Sequence, residues 1–320
     1  MEFNRDVCIS LLNVTGGRRM LDAMCATGVR AVRFKMETGA EQVIACDRSR
    51  LACELTAVNA SRNDVQIDVV NKDALAALAL GNYDYVDLDP YGTPVRYIMP
   101  ALLSLRNGGV LGVTATDTAM LCGSVSGSER RYLACAHKSP FMHETGIRIL
   151  LGYIVRQAAS VDLCAAPILS YSADHYFRIY VRVFRGASRA REMLKHLGFA
   201  FFESRTGRRG IALSQTEQAA GPLWAGPLHD ETVLRSMRVE EHFSTAKRME
   251  RMLSLWREEQ SAPPLYYTLD ELSAYMHGRQ PKMKELTERF RGLVFRTHFD
   301  PKGFKTALTL EEIASSFKGA

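Results

Sequence analysis

The sequence has no apolar run long enough to cross a membrane. A spanning helix needs about 20 consecutive apolar residues, and no hydrophobic stretch of the chain approaches that length. The first residues, MEFNRDVCISLL, also lack the basic n-region and the small-residue cleavage site of a secretory signal. We therefore expect a cytoplasmic protein that does not act at a membrane.

The sequence also lacks the cysteine spacings that build zinc sites and disulfide frameworks. No two of its seven cysteines form a C-x-x-C pair. The pair His143-Glu144 has no second histidine four residues after the first, so it does not form a zinc-binding motif, and a structural role at a helix start is favoured. We expect no bound metal.

What is present is an ordinary globular composition with a mild positive charge. The 320 residues suffice for about two domains, and 47% hydrophobic with 24% charged residues allows a substantial core. A formal net charge of +6 is compatible with a nucleic-acid partner without proving one. We expect a first domain over 1–228, with a core at 1–186 and an extension at 187–228, and a second domain over 229–320.

Strands alternate with helix-period segments in the first half of the chain. Such alternation is typical of βαβ units and predicts a parallel, doubly wound α/β sheet. Two apolar runs, 166–171 and 176–184, are joined by a short link and predict an antiparallel pair that closes this sheet. The predicted strands in the parallel part are 20–24, 43–46, 65–70, 85–88 and 110–114.

The second domain reads as a smaller α+β unit. A long helix is predicted over 231–259 and ends before Pro263-Pro264. Two short helices at 269–277 and 281–291 precede a strand-like segment at 293–299. Two short helices followed by a hairpin is the order of a winged helix-turn-helix domain.

Polar residues follow four predicted strands in succession, where an open α/β sheet binds its ligands. Asp22 precedes a tight turn at Gly28 that opens a helix, and Asp47 stands where a carboxylate can accept both hydroxyls of a ribose. Asp73-Ala74 and the DLDPYG turn follow the next two strands. Each acid taken singly could be a helix N-cap.

The glycine-rich G-x-G-x-x-G loop of nicotinamide enzymes is absent, since only Gly28 is present. An acidic residue for a ribose without a pyrophosphate loop fits S-adenosyl-L-methionine. The pattern therefore favours the class I S-adenosylmethionine-dependent methyltransferase architecture, with a Rossmann-like sheet whose last strand is antiparallel.

The turn after the fourth strand, Asp89-Pro90-Tyr91, suggests an acceptor site. A carboxylate that accepts the N–H bonds of an exocyclic amino group makes that group more nucleophilic and can take up its proton. An adjacent aromatic ring can stack on the base, and Pro90 stiffens the turn. We assign Asp84 and Asp87 to the flanks of the strand; the alternative for Asp89 is a helix cap.

With these motifs the sequence resembles the tRNA guanine-26 N2-methyltransferase family over essentially its whole length. The matching stretches are NRD at Asn4–Asp6, LDAMCATGVRAVRF, NKDA, DLDPYGTP, GVTATDTAMLCG, HETGIRIL, DHYFRIYV, GPLWAGPL and THFDPKGFKT. The resemblance implies a domain that binds S-adenosyl-L-methionine, a family-specific C-terminal domain that binds tRNA, and mono- and dimethylation of guanine 26.

The resemblance also assigns roles to individual residues. It implies cofactor contacts by Arg5, Arg30, Asp47, Asp73 and Ala74, and it implies that Asp89 and Tyr91 hold and activate the guanine. Family members carry an F-Y-N-P-like motif ahead of N-R-D, whereas this sequence begins at Met1, so we expect it to be short at its N-terminus. The cysteine-rich insertion of eukaryotic relatives is absent, as in the archaeal form.

Further residues are candidates for contact with the substrate. Asp117 could line the acceptor pocket or cap a helix, and Asp174-His175 could be a turn network or a pocket wall. Basic residues in two predicted hairpins could contact phosphates or lie on an ordinary solvated face. These basic residues are Arg205, Arg208 and Arg209 in the first hairpin and His298, Lys302 and Lys305 in the last.

Two alternatives to guanine methylation remain from the sequence. The Asp-Pro-Tyr turn is a variant of the amino-activating turn, so methylation of an adenine N6 in RNA is possible. A tRNA-binding chaperone with impaired catalysis is the other alternative, although the acids at Asp47, Asp73 and Asp89 argue against it. In either case the expected partner is tRNA, and we expect a monomer.

Overall fold

A mixed seven-stranded sheet forms the centre of the protein, whose computed structural model describes residues 1–215 and 219–317. The strand order is β3-β2-β1-β4-β5-β7-β6, and the first five of these strands are parallel. β7 runs antiparallel to both of its neighbours, so the predicted closing pair is confirmed. The strands are Arg19–Asp22 (β1), Gln42–Asp47 (β2), Asp68–Asn71 (β3), Tyr83–Leu88 (β4), Leu105–Ala115 (β5), Leu163–Ala173 (β6) and Tyr176–Arg185 (β7).

Helices cover both faces of this sheet. Because both faces are covered, the central strand β4 is apolar at Tyr85, Val86 and Leu88, all of which are fully buried. The helices are Glu2–Thr15 (α1), Val29–Glu37 (α2), Arg50–Arg62 (α3), Ala74–Leu78 (α4), Val95–Ser104 (α5), Thr118–Leu121 (α6), Ser128–Tyr132 (α7) and Met142–Ala159 (α8). Along 1–215 and 219–317, none of the helices combines the length and the apolar character that crossing a bilayer requires.

The strand order reverses between β1 and β4. The chain leaves β1 toward β2 and β3, and then returns to the other side of β1 through β4. The connections therefore diverge at this point and leave a crevice outside the carboxyl ends of the two strands. Asp22 ends β1, and Asp89 directly follows β4, so both acids lie at this crevice.

A small antiparallel sheet follows the central one. Its strand order is β10-β8-β9, and β10 packs against α8. The hairpin predicted around Thr206-Gly207 is confirmed by the pairing of its two strands. The elements are Ala187–Leu194 (α9), Leu197–Phe202 (β8), Arg209–Ala212 (β9) and Ala220–Trp224 (β10).

The single long helix predicted over 231–259 is wrong. The structure has two helices, Glu231–Ser236 (α10) and Ala246–Glu258 (α11). Met237 and Phe243 in the intervening segment are buried in the same hydrophobic cluster as the apolar residues of α1. Asp6 of α1 accepts hydrogen bonds from the backbone N–H and the hydroxyl of Thr245, directly before α11. These tertiary contacts outweigh the helical propensity of the segment.

The last part of the chain has the winged-helix order. After α11 come a 3₁₀ turn, a strand, two short helices and a two-stranded hairpin, with sheet order β11-β13-β12. This segment has a small core of its own, separate from the core that α10 and α11 share with α1. The expected domain boundary at residue 229 therefore stays a prediction. The elements are Glu259–Ser261 (3₁₀), Tyr267–Thr268 (β11), Leu269–Met276 (α12), Met283–Arg289 (α13), Val294–Arg296 (β12), Gly303–Thr306 (β13) and Leu310–Phe317 (α14).

Candidate active site

Gly28 forms the turn between β1 and α2. Its φ of +75° lies in the left-handed region, and a Cβ at this position would lie 2.5 Å from Thr56 Cγ2. Both the conformation and the contact with Thr56 therefore require glycine. The turn brings the backbone close to α3 and presents the N-terminus of α2 at the crevice.

Asp47 and Asp73 lie at the ends of the next two strands, as expected. Asp47 accepts hydrogen bonds from the N–H groups of Ala26, at 3.0 Å, and Ser49, at 2.8 Å, and these bonds fix its orientation. Asp73 caps α4 by accepting from the N–H of Leu75 at 2.9 Å, and the adjacent Ala74 is buried. The capping role of Asp73 uses one oxygen.

Arg30, in the first turn of α2, contacts two acids. Its Nη2 donates to Asp89 Oδ2 at 2.6 Å, and its Nη1 forms an ion pair with Asp87. Asp89 Oδ1 has no hydrogen-bond partner among the residues that the structure describes. Asp89 is thus held through one oxygen, and its second oxygen is available.

Asp87 is not a strand-flanking acid, as the sequence suggested, but a fully buried one. Arg178 of β7, itself fully buried, pairs with it, and Tyr85 donates to it. The sequence does carry a signal for this pair. Each charged residue stands inside a predicted apolar strand, between Val86 and Leu88 for Asp87 and between Phe177 and Ile179 for Arg178.

Asp22 is buried at the end of β1 and lies near Arg30 and Asp89. Burial raises the pKa of Asp22 to about 6, and the negative charge of Asp89 acts in the same direction, against the opposing effect of Arg30. A buried carboxyl group in a crevice whose pKa is raised in this way is typical of a functional site.

Arg5 of α1 completes the positive side of the crevice. It is half-buried, and within the described part of the chain it has neither an ion pair nor a side-chain hydrogen bond. Burial lowers the pKa of Arg5, and the nearby guanidinium groups of Arg30 and Arg33 lower it further. A guanidinium in this setting is suited to an anionic ligand.

The Tyr91 ring is fully exposed beside Asp89. The backbone of the following residue, Gly92, is fastened to the end of β5, because its N–H donates to Thr116 Oγ1 at 2.7 Å and its carbonyl accepts from the Thr116 N–H at 3.0 Å. Pro90 is buried beneath the turn. The structure therefore presents an aromatic ring to solvent on an anchored loop.

Asp117 supports this loop from behind. Its two oxygens both lie 2.8 Å from the Tyr132 hydroxyl, and that hydroxyl lies 3.0 Å from Thr93 Oγ1. Arg131 also contacts Asp117, at 3.3 Å. Asp117 stands at the N-cap position of α6, but its side chain makes no cap hydrogen bond there.

Three of the basic residues expected to face phosphates are buried instead. Arg209 pairs with Glu271 of α12 and packs over the Tyr267 ring, whereas His298 and Lys305 lie inside a polar cluster. These three positions are corrections to the sequence-based expectation, because buried side chains that are already paired cannot serve as surface contacts. Arg205 and Arg208 are exposed at the turn between β8 and β9, and Lys302 forms an exposed ion pair with Asp270.

The polar cluster joins α8, which packs beside the seven-stranded sheet, to the winged-helix segment. Lys305 Nζ lies 3.0 Å from Glu144 of α8 and 3.3 Å from Glu259, and Arg148 pairs with Glu144 at 2.9 Å. Two buried acids are thereby matched by two buried bases. Glu144 has the structural role that the sequence favoured.

His229, Glu259 and His298 come close enough together to suggest a metal centre. The outer nitrogen of each histidine, however, accepts a hydrogen bond from a backbone N–H, that of Ser170 for His229 and that of Ser172 for His298. The inner nitrogens must then carry the hydrogens. His298 Nδ1 donates to Glu259, whereas His229 Nε2 lies 3.9 Å from Glu259 and has no hydrogen-bond partner among the described residues. A metal-binding histidine has the opposite arrangement, with its outer nitrogen donating, so neither histidine is oriented as a metal ligand, and Glu259 is hydrogen-bonded by His298.

Residues 1–318 match the family described as N2,N2-dimethylguanosine tRNA methyltransferase. The chain is 36% identical to the tRNA (guanine(26)-N(2))-dimethyltransferase of Thermococcus kodakarensis, over 99% of this chain and 91% of that protein. The protein of the same name from Pyrococcus furiosus is 37% identical, over 95% of this chain and 87% of that protein.

A solved structure resembles the whole chain. It is the complex of Trm1 from Pyrococcus horikoshii with S-adenosyl-L-methionine, which is similar with a TM-score of 0.91 and 34% sequence identity. The similarity covers 99% of this chain and 92% of the other chain. The sheet, the small antiparallel sheet and the winged-helix segment all fall within it.

Proposed function

The chain belongs to the N2,N2-dimethylguanosine tRNA methyltransferase family, and on that premise we infer that it transfers methyl groups from S-adenosyl-L-methionine to the exocyclic N2 of guanine 26 in tRNA. The observation that carries this inference is the pair formed by Asp89 and Tyr91. One carboxylate oxygen is available and one aromatic ring is exposed, both at the carboxyl end of β4. Family membership identifies the base as guanine.

The residues at the crevice fit the cofactor. Arg5, half-buried and without an acidic partner among the described residues, would pair with the methionine carboxylate, and Asp22 would face the methionine ammonium. Asp47 would accept the ribose hydroxyls, since its carboxylate is half-exposed and already oriented by two N–H groups. Asp73 and Ala74 border the same side of the crevice as Asp47. Gly28, which has no side chain, leaves room for the cofactor to approach the backbone closely.

S-adenosyl-L-methionine, when bound, would supply a methyl group carried on a sulfonium sulfur, and the sulfur would become a neutral thioether once the methyl group is transferred. The guanine N2 gains the methyl group and loses one proton. The amino group is a weak nucleophile because its lone pair is delocalised into the ring. Asp89 accepts an N–H bond from N2 and takes up the proton that is lost. Tyr91 stacks on the base after it leaves its own stack, and Pro90 and Asp117 hold the loop that carries both groups.

We further propose that 229–320 is a tRNA-binding domain and that Arg205 and Arg208 contact phosphates from their exposed turn. We also propose that the protein acts as a monomer in the cytoplasm without a bound metal. Light scattering during size-exclusion chromatography tests whether the protein is a monomer. Elemental analysis of the purified protein tests whether it contains a bound metal.

The experiment that tests the activity is mass spectrometry of nucleosides from an unmodified tRNA transcript incubated with the protein and the methyl donor. We expect N2-methylguanosine and N2,N2-dimethylguanosine, and neither product from a matched transcript with adenine at position 26. N6-methyladenosine in place of these products would support the adenine alternative. No product, with tRNA binding intact, would support the chaperone alternative.

A further inference from the structure

Four charged groups of alternating sign form a continuous chain from the interior of the sheet to the acceptor site. They are Arg178 on β7, Asp87 on β4, Arg30 on α2 and Asp89 at the end of β4. The first two side chains are fully buried, that of Arg30 is 8% exposed and that of Asp89 is 17% exposed. Exposure therefore increases only at the end where the substrate is expected.

Arg178 is fixed at the inner end of this chain by several contacts. Its Nη1 donates to Thr114 Oγ1 at 2.8 Å, and its Nη2 donates to the Tyr85 hydroxyl at 3.0 Å. Its guanidinium carbon lies 4.4 Å from the centroid of the Tyr180 ring. A guanidinium held by two hydrogen bonds and a ring has little freedom to move.

Gly112 on β5 provides an independent indication that the sheet is built around Arg178. A Cβ at this position would lie 2.5 Å from Arg178 Nη2 and equally close to the Tyr85 hydroxyl. The backbone of Gly112 is ordinary extended strand, so no left-handed conformation demands glycine here. Space for the Arg178 side chain is what the glycine supplies.

We propose that Arg178 and Asp87 are positioning residues for methyl transfer, which hold Arg30 so that it engages only one oxygen of Asp89 and leaves the other to the guanine amino group. This proposal rests on the proposed function. Without Arg178, Asp87 would have Arg30 as its only cationic partner and would draw that guanidinium toward the core. The contact between Arg30 and Asp89 would then weaken, and Asp89 would lose its orientation.

The alternative is that the chain of charges only stabilises the fold. The pH dependence of the reaction separates the two roles, because removing one cation from a set of acids raises their pKa values. The titratable and charged groups around the set are Cys8 and Arg5 on α1, Asp22 on β1, Tyr85 on β4, Tyr171 on β6 and Tyr180 on β7. Of these, the carboxyl group of Asp22 is the one that titrates on the acid side of neutrality; burial raises its pKa, and the charge of Arg178 lowers it.

The experiment compares Arg178→Gln and Arg178→Lys with the unaltered protein in single-turnover methylation at saturating tRNA and cofactor. We expect the glutamine variant to lose roughly 10- to 100-fold in rate, and we expect the acid limb of its pH profile to move up by about one pH unit. The lysine variant restores the positive charge, so it should recover part of the lost rate and part of the shift in the acid limb. Calorimetry should find cofactor affinity within about threefold of the original, because these residues orient Asp89 for the reaction and do not themselves bind the cofactor.

Arg182→Gln is the matched control. Arg182 lies on the same strand, four residues further along, and has no acidic partner among the described residues. The methylation rate of the Arg182→Gln variant and the acid limb of its pH profile should be unchanged. Should Arg178→Gln fail to fold, Tyr85→Phe removes one hydroxyl between Arg178 and Asp87 and keeps every formal charge of the network, and it should lower the rate without lowering cofactor affinity.

An Arg178→Gln protein with an unchanged rate and acid limb would overturn the proposal. So would equal losses in rate, cofactor affinity and tRNA affinity with the acid limb unmoved, since this is the behaviour of a purely structural residue. If Arg178→Gln does not fold and Tyr85→Phe is measured in its place, an unchanged methylation rate in Tyr85→Phe overturns the proposal. Absence of N2-methylguanosine from the unaltered protein would instead remove the proposed function itself, so the two failures are distinguishable.

Discussion

Arg30 Nη2 donates a 2.6 Å hydrogen bond to one carboxylate oxygen of Asp89, at the point where β4 ends. Because Arg30 also pairs with the buried Asp87, its position does not depend on Asp89 alone. The contact gives Asp89 a defined orientation before any substrate arrives. The carboxylate that we propose as the proton acceptor is therefore preorganised by the protein.

Replacing Asp89 tests its role directly. We expect Asp89→Ala to lower the rate of methyl transfer by roughly 10²- to 10⁴-fold, the usual range for loss of a general base. Cofactor and tRNA affinity should remain, because Arg30 keeps Asp87 as a partner and the proposed cofactor contacts are unchanged. Single-turnover rates and calorimetric titrations measure these quantities. Turnover like that of the unaltered protein would remove Asp89 from the mechanism.

Tyr91 offers a separation of the ring from the hydroxyl. We expect Tyr91→Ala to lose roughly 10- to 100-fold in rate, since stacking on a base contributes about 1–3 kcal/mol, whereas Tyr91→Phe should lose little. The exposed ring has no packing role in the free protein, so the melting temperatures of both variants should match the original. A phenylalanine variant as slow as the alanine variant would show that the hydroxyl is required.

The buried carboxyl of Asp22 predicts a pH dependence of stability. Burial raises its pKa to about 6 in the folded protein, above the ordinary value of about 3.9 in the unfolded chain. The protonated form is therefore favoured by folding, and this stabilisation is complete below pH 4 and is lost as the pH rises through 6. The shift corresponds to roughly 3 kcal/mol of unfolding free energy.

The variant Asp22→Asn should not show this loss. Between pH 4 and pH 7 its unfolding free energy should rise by roughly 3 kcal/mol relative to that of the unaltered protein, as measured by urea denaturation. Its cofactor affinity at pH 7 should nevertheless fall, because the negative charge is gone. Parallel stability curves for the two proteins would contradict the assignment.

Lys305 predicts a large effect on stability at the junction with the winged-helix segment. We expect Lys305→Met to lower the unfolding free energy by about 3–5 kcal/mol, because Glu259 loses its buried ammonium partner and Glu144 keeps only Arg148. Burial opposes ionisation of Glu259, but His298 and Lys305 hold its pKa well below the usual range. The added destabilisation should therefore decline at low pH, where the carboxyl protonates.

Lys302→Met is the control for this prediction. Lys302 lies in the same hairpin region and pairs with Asp270 at 2.9 Å, but both side chains are more than half exposed. An exposed pair of this kind contributes little to stability, because solvent screens it. Equal effects of the two substitutions in differential scanning calorimetry would show that the buried cluster does not stabilise the junction.

Much of the architecture could be predicted from hydrophobic periodicity and strand spacing. The parallel sheet, its antiparallel closing pair and the order of the winged-helix segment were all predicted, because each depends on local patterns of period 2 or 3.6. The helix over 231–259 was predicted wrongly at its centre. There the sequence is compatible with a helix, and only the contacts of Asp6 and α1 break it.

The site divides in the same way. The sequence by itself determined the acids at the strand ends, the glycine turn at Gly28 and the Asp-Pro-Tyr motif, because strand order places consecutive strand ends at one edge of a sheet. Only the tertiary structure decided which charges are paired. It buried Arg209, His298 and Lys305, which sequence had placed at the surface, and it joined Arg178 to Asp87 across 91 positions of the chain. A charged residue inside an apolar strand indicates that it must find a buried partner, but which residue is that partner depends on how the elements pack, and no local pattern in the sequence identifies it.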